Sequence, residues 1–230
     1  MEQVIERITT ISMGLASGLG EHGFKLSEKS ALVTDPPRIA QTMSAALREH
    51  DIHVLTPGAA KDLGVATHGV RRTTKVIKGR MKKAARRALA IRKLIRVEPK
   101  ARALVNSVYR PQAIWGHEGQ GLAPSTLRLL RSQIAGMTGC MRPRSCATTC
   151  IRFIFGAEAD PHLYRRLQLL EAWFYILDEL GPDDGALQLA WSKTVKTLEA
   201  TKRPWQRVKG TMAAVIASLL DLQWTPRRAD

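Results

Sequence analysis

Apolar residues along this chain return mostly at steps of three and four, so most of it reads as amphipathic helix. Val4, Ile5, Ile8, Ile11, Leu15 and Leu19 predict a first helix over residues 3–19, closed by Gly20 and Gly23. "FKLSEKSALVT" follows with a β-branched and apolar close and predicts a short strand. Pro36-Pro37 breaks the chain, and Ile39, Met43, Ala46 and Leu47 mark a second helix ending near His50. "IHVL" predicts another short strand, "TPGA" a turn and "KDLGV" a third strand fragment, with Gly69 ending the section.

From Val70 the period becomes helical and stays so. Ile77, Met81, Ala84, Ala88, Ile91 and Ile95 alternate steps of four and three, which is one apolar stripe. A continuous helix over "VRRTTKVIKGRMKKAARRALAIRKLIR" would span about 40 Å, with Gly79 weakening it by about 1 kcal/mol relative to Ala. Pro99 marks a break. Ala101 to Tyr109 predicts a short helix, "RPQAIWGHEGQG" a Gly-rich loop, and "APSTLRLLRSQIAGM" a helix capped by Ser125. "RPRSCATTCIRFIFG" is read as helical. "DPHLYRRLQLLEAWFYILDEL" has Asp160 as cap, Pro161 in the first turn and Gly181-Pro182 as its stop. "GALQLAWSKTVKTLEA" and "VKGTMAAVIASLLDL" add two more helices. The expected fold class is α+β, mostly α: a small antiparallel β element with helices over 1–69, a basic helical region over 70–155, and a C-terminal helical region over 156–230.

Charge sharpens this division. The net charge is +16. Residues 1–69 hold six bases and eight acids, residues 70–155 twenty bases and two acids, and residues 156–230 ten of each. One segment, at +18, therefore makes the whole field, and a localised basic field favours a polyanionic partner such as nucleic acid. The Val70–Arg96 run alone has twelve Lys or Arg and no acid. An ordinary solvated helix gains from Glu–Lys pairs one turn apart, and this one has none. Its apolar stripe implies that it packs on the rest of the protein and is no free arm.

Other chemistry is sparse. Cys140, Cys146 and Cys150 lack the paired C-x2-C spacing of structural zinc sites and read as small thiols; their odd number suits a reducing compartment. Asp183-Asp184 sits in a Pro/Gly loop and reads as turn and capping chemistry. The five Trp residues read as packing groups. Neither a phosphate-binding Gly loop nor H-E-x-x-H nor a nucleophile elbow occurs. The expectation is an intracellular protein, nuclear or cytoplasmic, with no membrane partner, no catalytic residue and no metal or cofactor held in this chain.

The order of the pieces resembles the reverse transcriptases of non-LTR retrotransposons, in the region after their catalytic aspartates. There a helix leads into a motif matched here by Gly23, Phe24, Leu26, Ser27, Lys29 and Ser30. A primer grip with a Leu-Gly dipeptide follows, matched by Leu63 and Gly64, and then a helical thumb that cradles the template–primer. Pro111, Trp115 and Gly116 in "YRPQAIWGHEG" match a further downstream segment, and "ADPHLYRRLQLLEAW" is similar to the region after the thumb. The resemblance implies an RNA-directed DNA polymerase family, with two divalent metal ions in its intact members. Their aromatic-x-Asp-Asp motif would lie upstream of Val4, so the expectation is a non-catalytic C-terminal piece lacking its N-terminal polymerase half. It implies Leu63, Gly64 and Lys61 against a primer strand and Lys29 near the bound strands. Arg71, Arg72, Lys75, Lys78, Lys82, Lys83, Arg86 and Arg87 would contact phosphates of an RNA or DNA duplex or hybrid.

Two other readings stand beside it: a stand-alone basic helical nucleic-acid-binding protein, and a module that meets an acidic protein. Strand arrangement discriminates the first from the retroelement reading, which needs segments around 29–33, 52–55 and 61–65 to form a small sheet.

Overall fold

The computed structural model describes residues 2–34, 36–62, 65–68, 74–181, 183–224 and 229. The chain divides into two compact units, residues 1–73 and residues 74–230.

In the first unit, α1 (Glu2–Glu21) packs on α2 (Pro37–Arg48). Pro at the first position of α2 fixes φ where no N–H is needed. Ala40, Met43, Ser44 and Leu47 are the buried positions of α2, which is the i, i+3, i+4 pattern of a one-sided helix. The expected α+β class is overturned: helices dominate, and the three-segment antiparallel sheet does not form among the described residues. Segments 29–33 and 52–55 meet at one isolated bridge, Ala31 with Leu55, and it is parallel. Its backbone bonds are Leu32 N–H to Leu55 O at 2.8 Å and Leu55 N–H to Ser30 O at 2.9 Å. The connection explains the direction, because α2 carries the chain across between the two segments and returns it pointing the same way. The strand expected over "KDLGV" is divided: Lys61 and Asp62 end one strand and Val65 begins another. Strands β1 (Ala59–Asp62) and β2 (Val65–His68) pair antiparallel with each other, from Ala59 opposite His68 to Asp62 opposite Val65. Among the described residues this ribbon of four residues a side joins no other strand. Leu63 and Gly64 lie outside the described residues.

In the second unit, α3 (Lys75–Val97) is followed by a 3-10 turn (Pro99–Arg102) and a π-type turn (Val105–Tyr109) that runs into α4 (Arg110–Ile114). The loop expected from Arg110 therefore starts one turn later, at Trp115. Then come α5 (Pro124–Met137), α6 (Ala147–Phe155), α7 (Pro161–Leu180), α8 (Asp184–Glu199) and α9 (Thr211–Leu220). Helix α5 is capped at Ala123, without a side-chain bond, and Ser125 falls inside its first turn. Pro124 causes this shift, since proline suits the first helical position and places the cap one residue earlier. Asp160 caps α7 by accepting from His162 N–H at 3.1 Å, and Asp183 caps α8 by accepting from Ala186 N–H at 2.8 Å. Gly181 ends α7 at φ 44°, the left-handed conformation that glycine adopts without strain.

Two hydrophobic clusters fill this unit. One gathers α3 to α6 around Met81, Ala84, Tyr109, Leu127, Leu130 and Ile151. The other gathers α7 to α9 around Leu169, Trp173, Trp191, Leu198, Val215 and Ile216. Trp173 donates to Ala229 O at 2.9 Å, and Trp205 to the Asp221 carboxylate at 3.1 Å, so three of the five Trp residues are core groups. Trp115 and Trp224 are exposed. Among the described residues no helix is long and apolar enough to cross a membrane.

Candidate nucleic-acid interface

Helix α3 has a buried side and a charged side. Ile77, Met81, Ala84, Ala88 and Ile91 are buried, with Ala84 wholly so, and Ile95 packs partly against them. These are the residues of the sequence stripe. The two alanines let α3 approach α4 and α5 closely, and each buried Ile contributes about 1.5–3 kcal/mol. The helix is thereby fixed along most of its length.

Successive residues turn by about 100° around a helix axis. Lys78, Lys82, Arg86, Lys93 and Arg96 consequently fall within one arc, opposite the stripe, and all five are exposed. They span about 27 Å along the axis. Lys83 and Arg87 are exposed on the flank. Lys75 is exposed at the start of the helix, where the backbone dipole is already positive and the first turn holds no acid. Sequence reasoning stopped at Arg87 and missed Lys93 and Arg96, although Lys93 lies two turns beyond Arg86 on the same face. Arg80 differs: it is half-buried, its guanidinium donates to Trp115 O, and burial lowers its pKa. It fixes the loop after α4.

An open groove of about 500 Å³ runs between α3 and the first turns of α5. Its apolar floor includes Ile77, Met81 and Leu129, and Lys78, Lys82 and Ser125 stand at its edge. Further exposed bases are Arg128 on α5, Arg142 and Arg144 in the loop before α6, and Arg152 on α6. Arg131 is committed internally to Asp160, at 2.9 Å.

Lys29 is exposed in a turn of the first unit, its N–H bonded to Ser27 Oγ at 3.2 Å, and Lys61 lies in β1 of that unit. Arg71 and Arg72 lie outside the described residues. Among the described residues no group of three or more His, Cys, Asp or Glu is placed to hold a metal ion. Cys140 and Cys146 are exposed and Cys150 is partly buried. Hydrogen bonding from the Thr149 hydroxyl, then from the N–H groups of Thr149 and Thr148, lowers the exposed Cys146 thiol to about 7.

The arrangement presents positive charge along α3, whose residues include no acid. Among known proteins, no family model, no curated protein and no solved structure matches this chain.

Proposed function

We propose that the protein binds double-stranded nucleic acid, DNA or an RNA–DNA hybrid, through backbone phosphates along α3, without reading base sequence. The observation that carries this is one helix, fixed by its apolar stripe, that holds Lys75 and five further exposed bases on one arc and no acid. Lysine and arginine on phosphates position a protein without distinguishing bases. The order of the sequence motifs supports relating this surface to a reverse-transcriptase thumb. The second reading, a basic helical binding protein without polymerase ancestry, is favoured by the lack of the required sheet among the described residues.

The test is a salt titration of duplex binding by fluorescence anisotropy. Five neutralised phosphates give a slope of log K on log salt of about −4.5, hence a loss of about 500-fold between 50 and 200 mM salt. Lys82→Ala with Arg86→Ala lowers that slope by about 1.8, equally on unrelated sequences. A flat dependence refutes the proposal. Displacement of the duplex by equimolar polyglutamate would favour an acidic protein partner instead.

A further inference from the structure

Helix α7 carries two apolar faces. Leu169 and Trp173 enter the core, with Ile176 and Leu177 packed against them. Leu163, Leu167, Leu170 and Phe174 do not, and they are 37%, 48%, 36% and 59% exposed. Their spacing is four, three, four, which is the d, a, d, a seam of a two-stranded coiled coil. Three large aliphatic groups and a phenyl ring in one line form a contiguous apolar patch, unlike singly scattered surface leucines. The patch continues beside Leu170 into an apolar recess lined by Leu219, Leu222 and Trp224 at the end of α9.

The charges beside the seam identify its occupant. Taking Leu167 as position a puts Arg166 at g and Glu171 at e, on opposite flanks. In a parallel pair of helices, a g residue lies across the seam from the e residue five positions on in the other helix. Arg166 and Glu171 are five positions apart. Two copies of α7 side by side therefore bring each Arg166 to Glu171 of the other copy, giving two symmetry-related ion pairs. An antiparallel pair would set arginine on the side of arginine and glutamate on the side of glutamate. Within one chain the two side chains point to different flanks, and neither takes part in an ion pair among the described residues.

We propose that the protein forms a parallel, two-fold homodimer through Leu163, Leu167, Leu170 and Phe174 of α7, with Arg166 of each copy paired to Glu171 of the other. A two-fold assembly presents the same patch twice and closes on itself, leaving no seam to propagate.

Sedimentation equilibrium of the full chain, without nucleic acid, tests this from about 1 to about 100 μM. The expected mass rises with concentration toward twice the 25.5 kDa of the chain. Leu167→Asp weakens the dimer more than about tenfold while the circular dichroism stays unchanged. Arg166→Glu and Glu171→Arg each weaken it about tenfold, and combining them restores the constant to within about threefold. Glu171 is exposed, so its variant folds even where Arg166→Glu perturbs the half-buried arginine. A mass that stays at 25.5 kDa throughout overturns the proposal. A dimer indifferent to Leu167→Asp also overturns it, and a double variant no better than the single ones refutes the parallel arrangement.

Discussion

Removing the Asp160 carboxylate is the sharpest test of what holds the second unit together. Asp160 is 1% exposed and serves three elements at once. Its Oδ1 accepts from His162 N–H and caps α7, while its Oδ2 meets Arg131 of α5 at 2.9 Å and Arg152 of α6 at 4.0 Å. Asp160→Ala removes the cap, costing about 1 kcal/mol. It also leaves Arg131 without its buried partner, and breaking such a pair costs about 3–5 kcal/mol. The Arg131 side chain is 27% exposed, so water recovers part of that charge and the lower end applies. The sum is about 4 kcal/mol, or a fall of about 8–16 °C in melting temperature for a unit of this size. Asp160→Asn keeps an oxygen for the cap but loses the charge, so it costs about 1 kcal/mol less than Asp160→Ala. Thermal unfolding of both variants by circular dichroism gives the comparison. A loss under about 1 kcal/mol for Asp160→Ala would refute the view that this carboxylate ties α5, α6 and α7.

Gly121 takes φ +61°, and a Cβ there would stand 2.7 Å from Trp205 Cζ3 and 2.8 Å from Ala214 Cβ. Gly121→Ala therefore destabilises by about 2–4 kcal/mol from overpacking and backbone strain, read as a shifted denaturant midpoint with unchanged slope. Cys146, lowered from 9.0 to about 7, is about half thiolate at neutral pH, and the fraction rises as pH increases through that value. Iodoacetamide labelling of Cys146, followed by mass spectrometry, should have its pH midpoint near 7; a midpoint near 9 contradicts the hydrogen-bonded geometry at the start of α6. Ile91→Asp buries an unpaired charge in the α3 stripe and should cost more than about 3 kcal/mol, whereas Lys93→Asp on the exposed arc should unfold nothing and weaken duplex binding.

Long periodic elements were legible in the sequence, and short ones were not. The α3 stripe could be read residue by residue because six positions repeat the 3.6-residue period over five turns. The ends of α7 were equally readable, since Asp160, Pro161 and Gly181 each have a backbone reason for their place. The strands failed for the opposite reason. "SALV" and "HVL" are too short to show a period, and their fate is set by α2 between them: Ser44 Oγ donates to Val54 O at 3.3 Å and ties the second segment to the helix. Composition also could not separate Arg80 from its neighbours. The Trp115 carbonyl, thirty-five residues away in sequence, accepts from its guanidinium and helps take that base out of the exposed array. The seam on α7 was hidden because one amphipathic period accounts for the helix, and a second apolar face becomes visible once the core side is known.

The acid-free surface of α3 has a consequence for the free protein, whatever it binds. Five bases on one arc repel each other in the folded state, and the stripe beneath them keeps them from spreading apart. Added salt relieves that repulsion, so the melting temperature should rise with ionic strength over the same range in which the proposed duplex binding would weaken. Small anions and the proposed duplex would then compete for the same bases. The protein is held in its least comfortable state in dilute buffer, and the proposed binding would draw on that discomfort.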